Sequence, residues 1–139
     1  MRTTTGKMVI FDSSVLIDQF RTDCYSQRID SLDELVRTSA VVLAELWRGA
    51  TTRAEQVALR RLERKYPIFM PTEKIWLESG DILSRMVRDH GFEGHKLRDL
   101  HFDVLIALTA RSHGARLITS NRTDFELIRE YRNFELEVW

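Results

Sequence analysis

Short apolar runs along the chain indicate buried strands. Residues 9–11 are apolar and run directly into the carboxylate of Asp12. Residues 116–119 form a similar run, and residues 68–70 form a third between two prolines, which could be internal to a sheet. The segment 134–138 alternates apolar and acidic residues. We interpret all four segments as strands.

The apolar residues between these runs recur at the three- and four-residue spacing of helices that bury one face. Seven segments have this pattern: 15–20, 29–36 (with Ile29, Leu32, Leu35 and Val36 as the stripe), 40–47, 52–66, 72–91, 97–112 and 126–131. Strands that alternate with helices predict a three-layer α/β/α domain with a mainly parallel central sheet.

Several local signals define where the predicted helices begin and end. Hydroxyl residues that can cap a helix N-terminus precede four of them: Ser13 or Ser14, Thr38 or Ser39, Thr52, and Thr72. Thr52 is followed by Glu55, the spacing of a capping box. We expect Gly49 to close the 40–47 helix as a C′ glycine and Gly91 to open a loop that extends to Lys96.

Length and charge restrict the possible classes of protein. The 139 residues fit a single domain, 1–139, with a real core because 43% of them are hydrophobic. Lysine and arginine number 21, as do aspartate and glutamate, so the formal net charge is zero. This balance argues against nucleic-acid binding by bulk charge alone, but it allows a nuclease with a local basic rim around an acidic metal site.

The single cysteine, Cys24, permits no internal disulfide and fits a reducing cytoplasm. The first seven residues carry no long apolar stretch, so we expect no signal peptide. Apolar runs also stay well short of the roughly 18 residues that a membrane span needs. We therefore expect a cytoplasmic protein without a membrane partner.

Two acidic residues stand within apolar helical segments. Glu45 is flanked by apolar residues, and Asp103 lies in a segment that is apolar nearly all round. A buried carboxylate without a partner costs several kcal/mol or becomes neutral. A salt bridge to an arginine, a position at a helix N-terminus or a cation in a cleft would each resolve this, so either acid alone could be structural.

Polar residues also follow two of the predicted strands. Asp12 comes after the first, and Asn121 and Asp124 come after the strand 116–119. If these strands are parallel neighbours, their carboxyl ends open on one edge of the sheet, where Glu45 and Asp103 could also lie if their helices start there. Oxygen ligands without sulfur or clustered histidines suit Mg²⁺ or Mn²⁺. The chemistry of such a site is phosphoryl transfer or phosphodiester hydrolysis, in which the cation binds a phosphate and activates water.

Four segments in order resemble a PIN domain of the VapC toxin type: residues 12–18, 42–49, 103–110 and 117–125. Together they span nearly the whole chain. The resemblance implies an Mg²⁺-dependent ribonuclease that hydrolyses RNA phosphodiester bonds, with Mn²⁺ as a possible substitute. It also implies a homodimer that is the toxin of a two-gene pair and is restrained by a VapB-like antitoxin whose tail covers the active-site groove.

Carried over by position, Asp12, Glu45 and Asp103 match the three acids of the family's metal site. The fourth position falls on Asn121, where many members carry aspartate. Asn121 is a neutral ligand, so Asp124 could supply the missing charge, or it could cap a helix that begins at Phe125.

Other residues have supporting roles in this comparison. Ser14 matches a hydroxyl residue that lies beside the metal in the family. Thr119 and Ser120 could orient Asp12 or a phosphate. Asp99 stands four residues before Asp103, on the same helical face, and is either an outer acid of the site or a helix cap. The arginines of the 52–66 segment form a solvated face or, as a lesser alternative, a rim that contacts RNA.

Two other functions stay open from the sequence. The fold could serve as a binding or scaffold module in which Asn121 marks a weakened metal site. A metal-dependent phosphatase of another α/β family is the other alternative. The dehalogenase-like phosphatases require aspartate two residues after the nucleophilic aspartate, and Ser14 occupies that position here.

Overall fold

The computed structural model describes residues 7–139. Within that range, five strands form one sheet: β1 (Met8–Phe11), β2 (Leu35–Ser39), β3 (Ile68–Phe69), β4 (Arg116–Thr119) and β5 (Leu136–Val138). Seven helices accompany them in the same range: α1 (Ser13–Thr22), α2 (Ser26–Asp30), α3 (Ala40–Gly49), α4 (Arg53–Lys65), α5 (Glu73–His90), α6 (Gly94–Ser112) and α7 (Arg122–Tyr131). None of the helices in this part of the chain combines the length and apolar character needed to cross a membrane.

The strands lie in the order β3-β2-β1-β4-β5, and each neighbouring pair is parallel. Val9 in the central strand pairs with Val36 on one side and with Arg116 on the other. Parallel neighbours need long crossovers, which the helices supply, and the result is the predicted three-layer α/β/α fold. The fold class predicted from the sequence is confirmed.

The core is centred on β1, β4 and the middle of α6. Val9, Ile10, Leu117 and Ile118 are fully buried, and the apolar side chains of residues 104–108 are at most 3% exposed. Each such side chain contributes roughly 1.5–3 kcal/mol on leaving water. This burial fixes α6 against β4, α3, α5 and α7, which sets the position of every residue that α6 carries.

Several predicted helix ends are confirmed. The Ser39 hydroxyl accepts hydrogen bonds from the amides of Val41 and Val42, at 3.1 and 3.4 Å. Thr52 forms a capping box with Glu55 at the start of α4. Gly91 closes α5 in the left-handed conformation with φ 70°, which glycine adopts without strain.

The helix predicted over residues 29–36 is wrong in its second half. Helix α2 ends at Asp30, and Leu35 and Val36 lie in β2. Four apolar positions over eight residues are too few to separate a helix from a strand. Backbone hydrogen bonding to β1, together with the partial burial of Val36, decides the conformation here.

The place of one strand in the sheet and two helix boundaries also differ from the prediction. Strand β3 is an edge strand that pairs only with β2, a position that suits its flanking prolines because they lack an N–H. Gly49 is the last residue of α3 and is followed by Ala50 with a φ of −85°, so no left-handed glycine closes this helix. Helix α6 begins at Gly94, which places Lys96 in its first turn instead of in a loop.

Candidate metal centre

Asp12 directly follows β1 and is only 3% exposed. Its backbone N–H donates to the Ile118 carbonyl at 2.8 Å, which extends the β1–β4 pairing by one residue. Oδ2 of its carboxylate accepts hydrogen bonds from Ser14 Oγ at 2.8 Å and Thr119 Oγ1 at 2.9 Å. The second oxygen, Oδ1, has only the Ser13 hydroxyl at 3.5 Å. Asp12 is therefore held firmly through one oxygen and can offer the other to a ligand.

The hydroxyls around Asp12 join the start of α1 to the end of β4. Ser14 Oγ lies 3.2 Å from Thr119 Oγ1 and accepts the Ser120 backbone N–H at 3.1 Å. Thr119 Oγ1 also accepts the Asn121 N–H at 2.9 Å. Neither Ser13 nor Ser14 is the N-cap of α1, because Asp12 occupies that position. The contact described for Ser120 is the hydrogen bond from its backbone N–H to Ser14 Oγ, so it does not involve the Ser120 side chain.

Glu45 reaches the same region from the second turn of α3, which begins after the Ser39 cap. Its Oε1 atom is buried and has no hydrogen-bond partner. Burial, followed by the charge of Asp12, raises the pKa of Glu45 to about 7, although Arg48 one turn later opposes this rise. A buried carboxylate oxygen without a partner is unfavourable, so this atom is suited to a positively charged ligand.

Asp103 enters the site from the middle of α6 and is 8% exposed. Burial, followed by the charges of Asp12, Glu45, Asp124 and Asp99 in that order, raises its pKa to about 9. The alternative that Asp103 lies at a helix N-terminus is wrong, because α6 begins nine residues before it. Free amides at a helix N-terminus therefore do not compensate its charge.

One carboxylate oxygen from each of Asp12, Glu45 and Asp103 lies within 4.8 Å of the others. Three carboxylates at this distance repel one another, which adds to the effect of burial on the pKa values of Glu45 and Asp103. A donor set of oxygen atoms only, one of them buried without a partner, fits a divalent cation such as Mg²⁺ or Mn²⁺. These three residues would hold the ion.

Asn121 and Asp124 lie at the same edge of the sheet but bind each other. Asn121 is the N-cap of α7: its Oδ1 accepts the Asp124 N–H at 3.4 Å, and its Nδ2 donates to Asp124 Oδ2 at 3.1 Å. Asp124 Oδ1 pairs with Lys96 Nζ at 2.5 Å. The idea that Asp124 caps a helix beginning at Phe125 is wrong, because α7 begins at Arg122.

Asp99 lies one turn before Asp103 on α6 and is exposed. It does not cap the helix, since the N-cap is Glu93. Its charge raises the pKa of both Glu45 and Asp103, so it lies near enough to act on the site electrostatically.

Two basic residues near the acids were not singled out from the sequence. Lys96 contacts Asp124, and the guanidinium of Arg48 lies 5.2 Å from the centre of the Phe102 ring, next to Asp103. Lys96 stands seven residues before Asp103, a spacing that would have indicated a shared helical face if the helix had been predicted to begin at Gly94. The position of Arg48 over Phe102 depends on how α3 packs against α6 and has no sequence signal.

The fold and these acids place the chain in a known family. The sequence profile of the PIN domain matches residues 9–131, and the chain belongs to the PIN domain family. Among solved structures, it is similar to VapBC2 from Rickettsia felis bound to a promoter DNA fragment, with a TM-score of 0.74, 22% identity, and coverage of 95% of this chain and 98% of that one.

Two further solved structures share this fold. VapBC from Salmonella typhimurium bound to DNA has a TM-score of 0.74 and 20% identity over 97% of this chain and 99% of that one. VapBC-1 from nontypeable Haemophilus influenzae has a TM-score of 0.72 and 22% identity over 95% and 98%. No curated protein matches the chain. The PIN domain predicted from the sequence is confirmed.

Proposed function

We propose that this protein is a divalent-metal-dependent endoribonuclease and the toxin of a VapBC-type pair. The observation that carries the proposal is the convergence of Asp12, Glu45 and Asp103 within 4.8 Å, with Glu45 Oε1 buried and unpartnered. Membership of the PIN domain family and the likeness to VapBC structures support the same function. Mg²⁺ is the proposed cofactor, with Mn²⁺ as a substitute.

Some residues of the site would bind the ion, and others hold neighbouring residues in position. Asp12, Glu45 and Asp103 would bind the cation, which when bound supplies activation of water and charge stabilisation on the phosphate. Ser14 and Thr119 fix the Asp12 carboxylate through Oδ2, which leaves Oδ1 available to a ligand. Asn121 orders the turn after β4 by capping α7, and Asp124 balances the charge of Lys96.

A groove beside Glu45 supports the proposed antitoxin partner. It has a volume of about 360 Å³ and lies between α1, α3 and α4. Its apolar walls include Ile17, Phe20, Leu46 and Leu59, and Glu45 lies among its lining residues. An antitoxin segment in this groove would contact Glu45 and hinder the approach of RNA to the acids.

We also propose a cytoplasmic homodimer. Exposed apolar side chains at Met70, Trp76 and Leu77 are available for a subunit contact, with Leu77 71% exposed. A free, exposed thiol at Cys24 fits a reducing compartment.

The first prediction concerns Asp12. Asp12→Asn keeps the hydrogen-bonding shape of the side chain but removes one charge from the ion site. We expect a loss of Mg²⁺-dependent RNA cleavage of at least about 100-fold, because the ion no longer binds productively. Cleavage of labelled RNA and Mg²⁺ titration by calorimetry measure the effect, and circular dichroism checks the fold.

Glu130→Gln is the matched control, since Glu130 is an exposed acid on α7 and its loss should leave cleavage unchanged. Full activity of Asp12→Asn would overturn the assignment of the site. Absence of any Mg²⁺ or Mn²⁺ binding to the unaltered protein would instead favour a scaffold. Phosphate release from small molecules without RNA cleavage would favour a phosphatase.

A further inference from the structure

Lys96 lies on the same stripe of α6 as two acids of the site. It precedes Asp99 by three residues and Asp103 by seven, so all three residues face the same side of the helix. At 1.5 Å per residue, Lys96 is about 10 Å from Asp103 along the helix axis. Its charge therefore lies beside the ion site and not on the ion itself.

An ion pair holds Lys96 in this place. Its Nζ lies 2.5 Å from Asp124 Oδ1, and this contact joins the first turn of α6 to the first turn of α7. The other oxygen of Asp124 is bound by Asn121, so the acid is held from two sides. The Lys96 side chain is 43% exposed, whereas that of Asp124 is 15% exposed. The pair thus turns its positive member towards solvent.

The fold gains little from this pair. An ion pair with a partly exposed lysine contributes about 0–1 kcal/mol to stability. The acid cluster at the same edge of the sheet remains negatively charged even with a cation bound. Asp12, Glu45 and Asp103 provide three carboxylates, and one divalent cation balances only two of these charges. A polyanion that approaches this edge requires further positive charge close by, and Lys96 supplies it on the α6 side.

We propose that Lys96 binds a phosphate of the RNA backbone next to the phosphate at the acid cluster. In the protein without RNA, Asp124 holds the ammonium group at the rim, and on RNA binding a phosphate oxygen takes the place of Asp124 Oδ1. Lys96 is then a substrate-binding residue, and Asp124 competes with the phosphate for its ammonium group. This inference rests on the proposed function, because it takes RNA as the substrate.

The test compares Lys96→Ala with Lys96→Arg and with Lys74→Ala. Lys74 is an exposed lysine at the start of α5 and provides the control for the loss of one positive charge. The probe is a labelled single-stranded RNA of mixed sequence, whose binding is followed by anisotropy in EDTA over a range of salt concentrations. Cleavage kinetics of the same RNA in Mg²⁺ give KM and kcat.

Loss of one phosphate contact should reduce the slope of log K against log salt by about 0.7 for a single strand. We expect Lys96→Ala to weaken RNA binding about 5- to 10-fold and to raise KM similarly, with kcat within about twofold. Lys96→Arg should retain binding, and Lys74→Ala should leave affinity and slope unchanged. Asp124→Asn should strengthen binding about 2- to 5-fold, because it frees the ammonium group and removes a negative charge.

The inference is overturned if Lys96→Ala keeps the affinity and salt slope of the unaltered protein. Lys96 would then only balance the charge of Asp124. Unchanged RNA affinity in Asp124→Asn would overturn the exchange between Asp124 and phosphate. If the unaltered protein cleaves no RNA in Mg²⁺, the proposed function fails first, a result that is distinct from normal cleavage with no effect of Lys96.

Discussion

Asp103 is the residue whose surroundings are least favourable to its charge. It is nearly buried in the middle of α6 and faces the charges of several other acids. Its pKa rises from an ordinary value of 3.8 to about 9, so the folded protein without metal favours the neutral form. The carboxylate that suits the site for a cation therefore destabilises the fold when the cation is absent.

This gives a prediction for Asp103→Asn. Below its unfolded pKa near 3.8, the Asp103 carboxyl does not lower the free energy of unfolding. The loss of stability that it causes grows as the pH rises towards about 9. Because one pKa unit corresponds to about 1.4 kcal/mol, we expect the variant without metal to be more stable than the unaltered protein by at least about 1 kcal/mol at pH 8. Melting curves in EDTA at pH 8 and pH 5 measure the difference.

The gain should shrink at the lower pH, and Mg²⁺ binding by the variant should be lost. Glu130→Gln, which removes an exposed acid, should change neither melting curve. An Asp103→Asn protein that is less stable at both pH values would show that the carboxylate is needed for packing.

At the scale of elements, helix α3 links a buried cap to the ion site. Ser39 is fully buried, and its hydroxyl accepts two amide N–H groups at the start of the helix that carries Glu45. The start of α3 is thereby fixed at the end of β2. The direction in which Glu45 points depends on this junction.

Ser39→Ala leaves those two amides without their partner. We expect the free energy of unfolding to fall by about 1 kcal/mol, which urea denaturation measures, and Mg²⁺ affinity to fall with it because Glu45 is less well placed. Thr72→Ala removes a cap of the same kind from α5 and should lower stability without affecting Mg²⁺ affinity. Equal effects of the two variants on Mg²⁺ affinity would contradict the proposed link.

The sequence predicted the parts of the site that follow strand ends. Asp12 and Asn121 could be placed together because β1 and β4 are parallel neighbours, whose carboxyl ends necessarily meet. The sequence alone does not determine whether Glu45 and Asp103 lie close to Asp12, because this depends on how α3 and α6 are rotated against the sheet. That rotation is set by side-chain packing between distant segments.

The errors have related causes. Leu35 and Val36 fit a helical stripe locally, but pairing with β1 holds this segment as a strand. The sequence predicts a loop at Gly94 and Lys96, because glycine is a weak helix former. The left-handed φ of 57° that Gly94 adopts at the first position of α6 has no sequence signal.

At the scale of the whole molecule, zero net charge conceals a strongly uneven distribution. Three acids meet at one edge of the sheet, while α4 carries the basic residues Arg53, Arg60, Arg61, Arg64 and Lys65. We therefore expect the stability of the protein to depend on ions that bind at the acid cluster. This effect is distinct from a general dependence on ionic strength.

We expect saturating Mg²⁺ to raise the stability of the unaltered protein by about 1–3 kcal/mol, because an ion that binds only the folded state stabilises it by mass action. The effect should be larger at pH 8 than at pH 6, since Glu45 and Asp103 must lose protons to bind the ion. Melting temperatures at constant ionic strength measure it, with EDTA as the reversal. Equal stabilisation of Asp12→Asn would show that Mg²⁺ acts elsewhere.

The hydrogen bond from Thr119 to Asp12 connects residues 107 positions apart, and it has a consequence for the order of events during synthesis. Asp12 leaves the ribosome early, but β4, Thr119 and Asp103 come from the last third of the chain. The carboxylates cannot assemble until that part has been made and has paired with β1. If the protein cleaves RNA as proposed, a growing chain therefore remains inactive until Thr119 has been synthesised and β4 has paired with β1.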